Sequence, residues 1–300
     1  MSSYKKNGFS MIEMLISLVV ASIIIIGIYS FLTSSQRSFT LVQANDGVNR
    51  SMQGANRNIN DYIKMAGFRN YARIIDQATF PKGDYEFDED ISFKRNSFVS
   101  AKQADTSSPN IDLYLRYYGS SIYDDLAPQY VEENAKLDRS NQRMFDCNGD
   151  PLNRKQLAVV RLYVDGDNGL FCQQKIINTD DGSERDDRPD TVLINPNVKY
   201  MMFAFRTDDS ADFLLPSEMN DDDYVKVNAI RYGFIVRQST HQKANSIKAN
   251  ALQYHVLGMT GNDDLVEIPK EIEGDNSALH DMYDLVSGLV IAKNRFFEIN

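Results

Sequence analysis

Between Phe9 and Leu32 the chain runs for 24 residues with a single charged side chain, Glu13. At about 1.5 Å rise per residue, a helix of that length reaches roughly 36 Å, enough to cross the ~30 Å hydrocarbon core of a bilayer. A carboxylate at that depth costs roughly 2.5–3.5 kcal/mol on insertion scales, so Glu13 needs a partner to justify its place. Lys5 and Lys6 precede the apolar run and Arg37 is the first base after it. The bias of basic residues toward the cytoplasmic flank puts the N-terminus inside and the remaining body across the membrane. An ordinary secretory signal has a shorter apolar stretch with a small-residue cleavage site after it, whereas here the small residue, Gly8, comes first. A plain anchor leaves Glu13 unexplained.

The helical pattern continues past the apolar run. After TSSQRS, the apolar residues Leu41, Val48, Met52, Ala55, Ile59, Ile63 and Ala66 recur in steps of three, four and seven, which is one face of a helix. Asn45, Asp46, Asn49, Arg50, Asn56, Arg57, Asn60 and Lys64 make the polar face, and Gly67 fits a C-terminal cap. One helix of almost 60 residues is therefore expected, its second half laid by that stripe against a sheet. Gly27, Gly47 and Gly54 weaken it locally.

Beyond Phe80 the periodicity changes. Pro81, Gly83 and the acidic run DYEFDED read as loop. Strands are expected over Ile111–Gly119, Gln156–Val164, Leu170–Ile177, Thr191–Ile194, Val198–Arg206, Val227–Arg237 and Leu252–Leu257, with one more inside His280–Ile299. Strand after strand without helical patterns between them implies antiparallel sheet and an α+β class. The expected division is 1–8 leader, 9–32 membrane helix, 33–67 amphipathic continuation and 68–300 a single β-rich head. About 260 residues follow the anchor, enough for a proper core.

The net charge is −10, and −12 once the two leader lysines are gone. An acidic surface argues against nucleic-acid binding, which needs bases to neutralise phosphates. Cys147 and Cys172 are the only cysteines, and in an exported body such a pair suggests one disulfide, contributing on the order of 3 kcal/mol. Asp165, Asp167 and Asn168 resemble the start of a calcium loop, but Ile176 stands where the bidentate Glu of such a loop belongs, so a hairpin turn is expected. Asp221, Asp222 and Asp223 read as a solvated loop. His241, His255 and His280 have no metal-ligand spacing. No GxSxG, P-loop or HExxH occurs, so neither catalysis nor a cofactor or metal is expected.

The N-terminal residues KKNG followed by FSMIE resemble the class III signal of type IV prepilins and pseudopilins: a short basic leader, a Gly, and a Glu at the fifth mature position. The resemblance implies a type IV pilin-like fold, cleavage between Gly8 and Phe9 by a prepilin peptidase, N-methylation of Phe9, and Glu13 as the carboxylate of an assembly salt bridge to a mature amine. The segments NINDYIKMAGF, FDCNGDP, GLFCQ, NPNVKYMMFAFRTD and VNAIRYGFIVRQ resemble, in order, those of the PilW family of type IV pilus assembly proteins. Many relatives carry a further Cys where this chain has RNYAR, and a Thr-rich C-terminal strand where it has IAKNRFFEIN. The implied role is that of a minor pilin that primes pilus assembly at the inner membrane and ends at or near the tip, supporting twitching motility and adhesion. Its implied partners are other minor pilins, the major pilin, the prepilin peptidase, the inner-membrane assembly machinery, membrane lipid and a tip adhesin. A J-type minor pseudopilin of type II secretion shares this architecture, and a membrane-tethered periplasmic binding module is the alternative outside the assembly class.

Overall fold

The computed structural model describes residues 11–69, 80–87, 90–103, 109–120, 144–153, 155–165, 168–185, 190–239, 252–258, 265–268 and 281–292. The chain divides into two compact units, Met1–Gly47 and Val48–Asn300. Helix α1 runs over Met11–Met65, 55 residues.

In the first unit, over residues 11–32, the helix is apolar around its circumference apart from Glu13 and a few hydroxyl side chains. Met11, Ile12, Met14, Leu15, Ile16, Leu18, Val19 and Val20 are each at least half exposed. An 18-residue window of mean hydropathy 2.6 has none of its residues buried inside the protein. A helix hydrophobic on every side is matched to hydrocarbon rather than to one core face. Its hydroxyls bond back to the preceding turn: Ser17 to the Glu13 carbonyl at 2.7 Å, Ser22 to Leu18 at 2.8 Å and Thr33 to Tyr29 at 2.9 Å. The hydroxyl hydrogens of these side chains are thereby satisfied within the helix.

In the second unit α1 becomes one-sided. Val48, Ala55, Ile59, Ile63 and Ala66 are buried and Met52 partly so, which is the stripe read from the sequence, while Leu41 in the first unit is 52% exposed. Asn56 and Asn60 depart from the expected polar face. The Tyr232 hydroxyl donates to Asn56 Oδ1 at 2.7 Å, and Asn60 Oδ1 is buried without a hydrogen-bond partner. The helix ends at Gly67, whose φ of +75° is the left-handed turn that a side chain would resist. Its N–H goes to the Arg116 carbonyl at 2.9 Å, tying the helix end to the sheet.

Five antiparallel strands form a meander in the order β3-β4-β5-β6-β7: β3 Val99–Gln103, β4 Ile111–Tyr118, β5 Gln156–Asp165, β6 Gly169–Asn178 and β7 Thr191–Asn195. A three-stranded sheet has the order β12-β9-β8, with β8 Val198–Thr207, β9 Val227–Ser239 and β12 Asp281–Ile291. Strand β8 packs on β4, β5 and β6, so the inner faces of the two sheets and the α1 stripe share one core. The outer face of β9 is crossed by Val256 and Leu257. Gly233 permits this approach, since a Cβ there would lie 2.0 Å from the Val256 carbonyl oxygen.

Four strands escape the sequence reading. The acidic run read as loop contains β1 Gly83–Glu86, which pairs with β2 Asp90–Phe93, and a third, β11 Leu265–Ile268, pairs with β10 Leu252–His255, itself an expected strand. The fourth is β3. These segments are four or five residues long, and β1 and β2 are rich in acids, so neither length nor periodicity announces them. Ile91 and Phe93 nevertheless make a small core with Tyr114 and Val159 on the outer face of the five-stranded sheet. Covered on both faces, β4 is buried at all eight positions.

Candidate functional site

Two regions carry the residues singled out by the sequence. The first is the start of α1. Glu13 lies in its first turn, where a carboxylate complements the positive end of the helix dipole. Gly8 and Phe9, and the leader lysines, lie outside the described residues.

The second is the loop Phe145–Pro151. Cys147 and Cys172 are joined by a disulfide that ties this loop to the middle of β6. The loop closes on itself through a bridge between Phe145 and Pro151, with Gly149 at φ +81°. Its organising group is the buried carboxylate of Asp146, which accepts the N–H groups of Asn148 at 2.9 Å and Asp150 at 2.8 Å and binds Arg185 Nη2 at 3.1 Å. Gln174 of β6 takes the Cys147 N–H at 2.5 Å, and the Tyr117 hydroxyl of β4 donates to the Phe145 carbonyl at 2.8 Å.

Between this loop, the last turns of α1 and β7 lies an open groove of about 510 Å³, lined among others by Asp61, Tyr62, Met65, Phe145 and Leu193. Burial, and then the Asp146 carboxylate, push the Tyr62 hydroxyl well above its ordinary pKa. Burial does the same to Tyr117, with Tyr62 and Asp146 adding to it. Both are therefore held as neutral hydroxyls at physiological pH.

A second polar clamp joins α1 to the β7–β8 turn. Ser51 Oγ donates to Asn195 Oδ1 at 2.9 Å, Asn195 Nδ2 returns to the Ser51 carbonyl at 2.9 Å, and Asn197 Nδ2 reaches Ser51 Oγ at 3.2 Å. Sequence reading passed over this cluster, although two asparagines flanking a proline do mark a turn.

The remaining candidates are structural where they are described. Asn168 closes a turn on Asp165, its N–H on the carbonyl at 2.7 Å and its amide on the carboxylate at 2.9 Å. Asp167 lies outside the described residues. Asp221 to Asp223 lead into a 3-10 turn over Asp223–Lys226, where Asp223 accepts the Asn220 N–H at 2.9 Å and Asp222 sits 3.3 Å from Lys94. His255 ends β10, while His241 and His280 lie outside the described residues. Among the described residues no three His, Cys, Asp or Glu side chains are grouped as metal ligands.

Residues 3–29 match the family described as the prokaryotic N-terminal methylation motif. Among solved structures, the chain is similar to a type IV-like pilin from Thermus thermophilus at 10% identity and a TM-score of 0.39, over 83% of this chain and 98% of that one. No curated protein matches the sequence.

Proposed function

We propose that this chain is a prepilin, cut between Gly8 and Phe9 by a prepilin peptidase, methylated at the new Phe9 amine and incorporated through Glu13 into a type IV pilus. The observation that carries the reading is the methylation motif over residues 3–29, continued by an apolar helix with a single carboxylate. Cleavage would create an ammonium four residues before Glu13, one helical turn away. Its own amine, or that of a neighbouring subunit, would pair with the carboxylate. Two charges costly in hydrocarbon then become one hydrogen-bonded pair that sets the axial register of packed helices.

Within that class we assign the chain the role of a minor pilin of the PilW type, priming assembly at the inner membrane and residing at or near the tip. The order of the five segments quoted above supports this assignment. Residues 1–8 are the leader, 9–32 the span, 33–67 its amphipathic continuation and 68–300 the head, held first on the periplasmic side and then on the pilus. Its partners are other minor pilins, the major pilin and the assembly machinery. Neither catalysis nor a cofactor enters this function.

The test is the intact mass and N-terminal sequence of the protein from its native membrane, with and without the prepilin peptidase. A chain beginning at N-methyl-Phe9 only when the peptidase is present is expected. A chain retaining Met1 to Gly8 in both strains sinks the prepilin reading. For the minor-pilin role, the expected result is loss of surface pili on deletion, rescued by the wild-type chain and not by Glu13→Ala. Full rescue by that variant would remove Glu13 from the assembly step, and normal piliation on deletion would leave a tethered module with no part in assembly.

A further inference from the structure

Among the described residues, all but three of the exposed large apolar side chains lie between Met11 and Val42 on α1. The three exceptions are Leu193, Leu289 and Ile291, and all stand on outer strands, Leu193 on β7 and the other two on β12. Strand β12 is paired with β9 along all eleven of its residues. In an antiparallel pair, backbone groups point alternately toward and away from the partner strand. The Ala292 N–H reaches the Asn228 carbonyl at 2.8 Å, so even-numbered residues face β9 and odd-numbered ones face outward. The Asp284 carboxylate takes the outward N–H of Leu285 at 2.8 Å, which closes that end of the edge. Beyond it, the outward backbone groups of Ser287, Leu289 and Ile291 have no partner among the described residues. On that same stretch Leu289 is 53% and Ile291 59% exposed. Proteins usually blunt such an edge with charge, proline or a bulge.

We propose that this open half of β12 pairs with β12 of a second copy of the chain, antiparallel about a two-fold axis through Leu289. The stretch is self-complementary in that register. Leu289 faces its counterpart, each Ser287 faces Ile291 of the other copy, and the outward N–H and C=O groups of all three residues are satisfied. Asp284 falls outside the paired stretch, so no carboxylate opposes another. Five residues a side cover far less than the roughly 800 Å² per partner of a standard stable interface. The pairing therefore depends on both copies being held in one bilayer by α1, which raises their effective concentration. It needs that anchor and not pilus assembly.

Both cysteines of the chain are consumed by its disulfide, so introduced thiols report without background. Full-length Ser287→Cys and Ile291→Cys chains would be reconstituted together, and each alone, in phosphatidylethanolamine–phosphatidylglycerol vesicles under mild oxidation. The mixture is expected to give cross-linked dimer at least about tenfold above either chain alone, as one register held at high effective concentration requires. Leu289→Lys in both chains should abolish it with the head's melting unchanged. Equal yields in all three samples, or dimer that persists with Leu289→Lys, would overturn the proposal. So would cross-linking of either cysteine chain in native membranes to a different protein, with no dimer from the Ser287→Cys and Ile291→Cys mixture. An uncut N-terminus would sink the prepilin reading and leave this result untouched.

Discussion

The Arg116 guanidinium lies 4.3 Å from the centre of the Phe93 ring, beneath the hairpin that β1 and β2 lay across the sheet. Its donors end on backbone carbonyls, Pro81 at 2.6 Å, Lys94 at 3.1 Å and Ser97 at 3.0 Å through Nε. Phe80 covers it at 5.3 Å. Burial lowers the pKa of this fully covered group, though an arginine stays charged. One side chain thus gathers three points of the 81–97 segment onto β4.

Replacing Arg116 by Met is expected to cost about 3 kcal/mol, since each orphaned buried carbonyl costs about 1–3 kcal/mol. Arg116→Lys should recover little of it, because an ammonium cannot reproduce the planar fork. Urea unfolding of the detergent-solubilised protein measures this. A loss below about 1 kcal/mol for Arg116→Met, the worth of one ordinary hydrogen bond, would contradict the assignment.

On the same face, Arg161 binds Asp112 at 2.7 Å, with side-chain exposures of 9% and 4%, and stacks 4.2 Å from the Tyr163 ring. Removing one partner of a buried pair costs about 3–5 kcal/mol, whereas replacing both by apolar groups can be nearly neutral. Asp112→Ala is therefore expected to be more destabilising than Asp112→Leu combined with Arg161→Met. Equal losses in the two proteins would show that the charges are solvated despite their burial.

The disulfide closes a loop with a sequence separation of 25. Cys147→Ser combined with Cys172→Ser is expected to lower head stability by about 3 kcal/mol on loop-entropy grounds. Cys172 is fully buried and Cys147 is 7% exposed. Reductant should therefore release labelable thiols only in step with unfolding. Fast labelling under native conditions would mean that the Phe145–Pro151 loop opens locally.

Tyr62 and Tyr117 are both held neutral by burial and by Asp146, so their folded pKa values lie above the unfolded value near 10. A raised acid stabilises the fold fully below the unfolded pKa. That stability is lost as pH climbs from about 10 toward the folded value, at up to about 1.4 kcal/mol per pH unit for each tyrosine. Alkaline titration of the head should show unfolding that begins above about pH 10 and is shallower in Tyr62→Phe. An unchanged slope in that variant would remove Tyr62 from the cause.

The helix was legible over Met11–Met65 because both signals for it are local. Twenty-four residues with one charge specify an apolar helix, and a three-and-four repeat specifies a buried stripe that ends at a glycine. The long strands of both sheets were legible in the same way. The short strands β1, β2, β3 and β11 were not, since four or five residues carry too little pattern to separate strand from loop. Asp112, Arg116 and Arg161 alternate with apolar neighbours and look solvent-facing. Nothing near them in the chain says that a distant hairpin will cover β4.

The amino-acid sequence by itself determined the long apolar helix, the position of Glu13 within it and the methylation motif, because each depends on residues within one or two helical turns. Only the tertiary structure decided that eight strands divide into a five-stranded and a three-stranded sheet. It alone decided that Asp146 organises the disulfide loop, that Ser51 is clamped by Asn195 across 144 residues of chain, and that Leu289 and Ile291 lie on an edge left uncovered among the described residues. Those relationships are long-range, set by which faces find one another when the core closes, and no local periodicity encodes the choice.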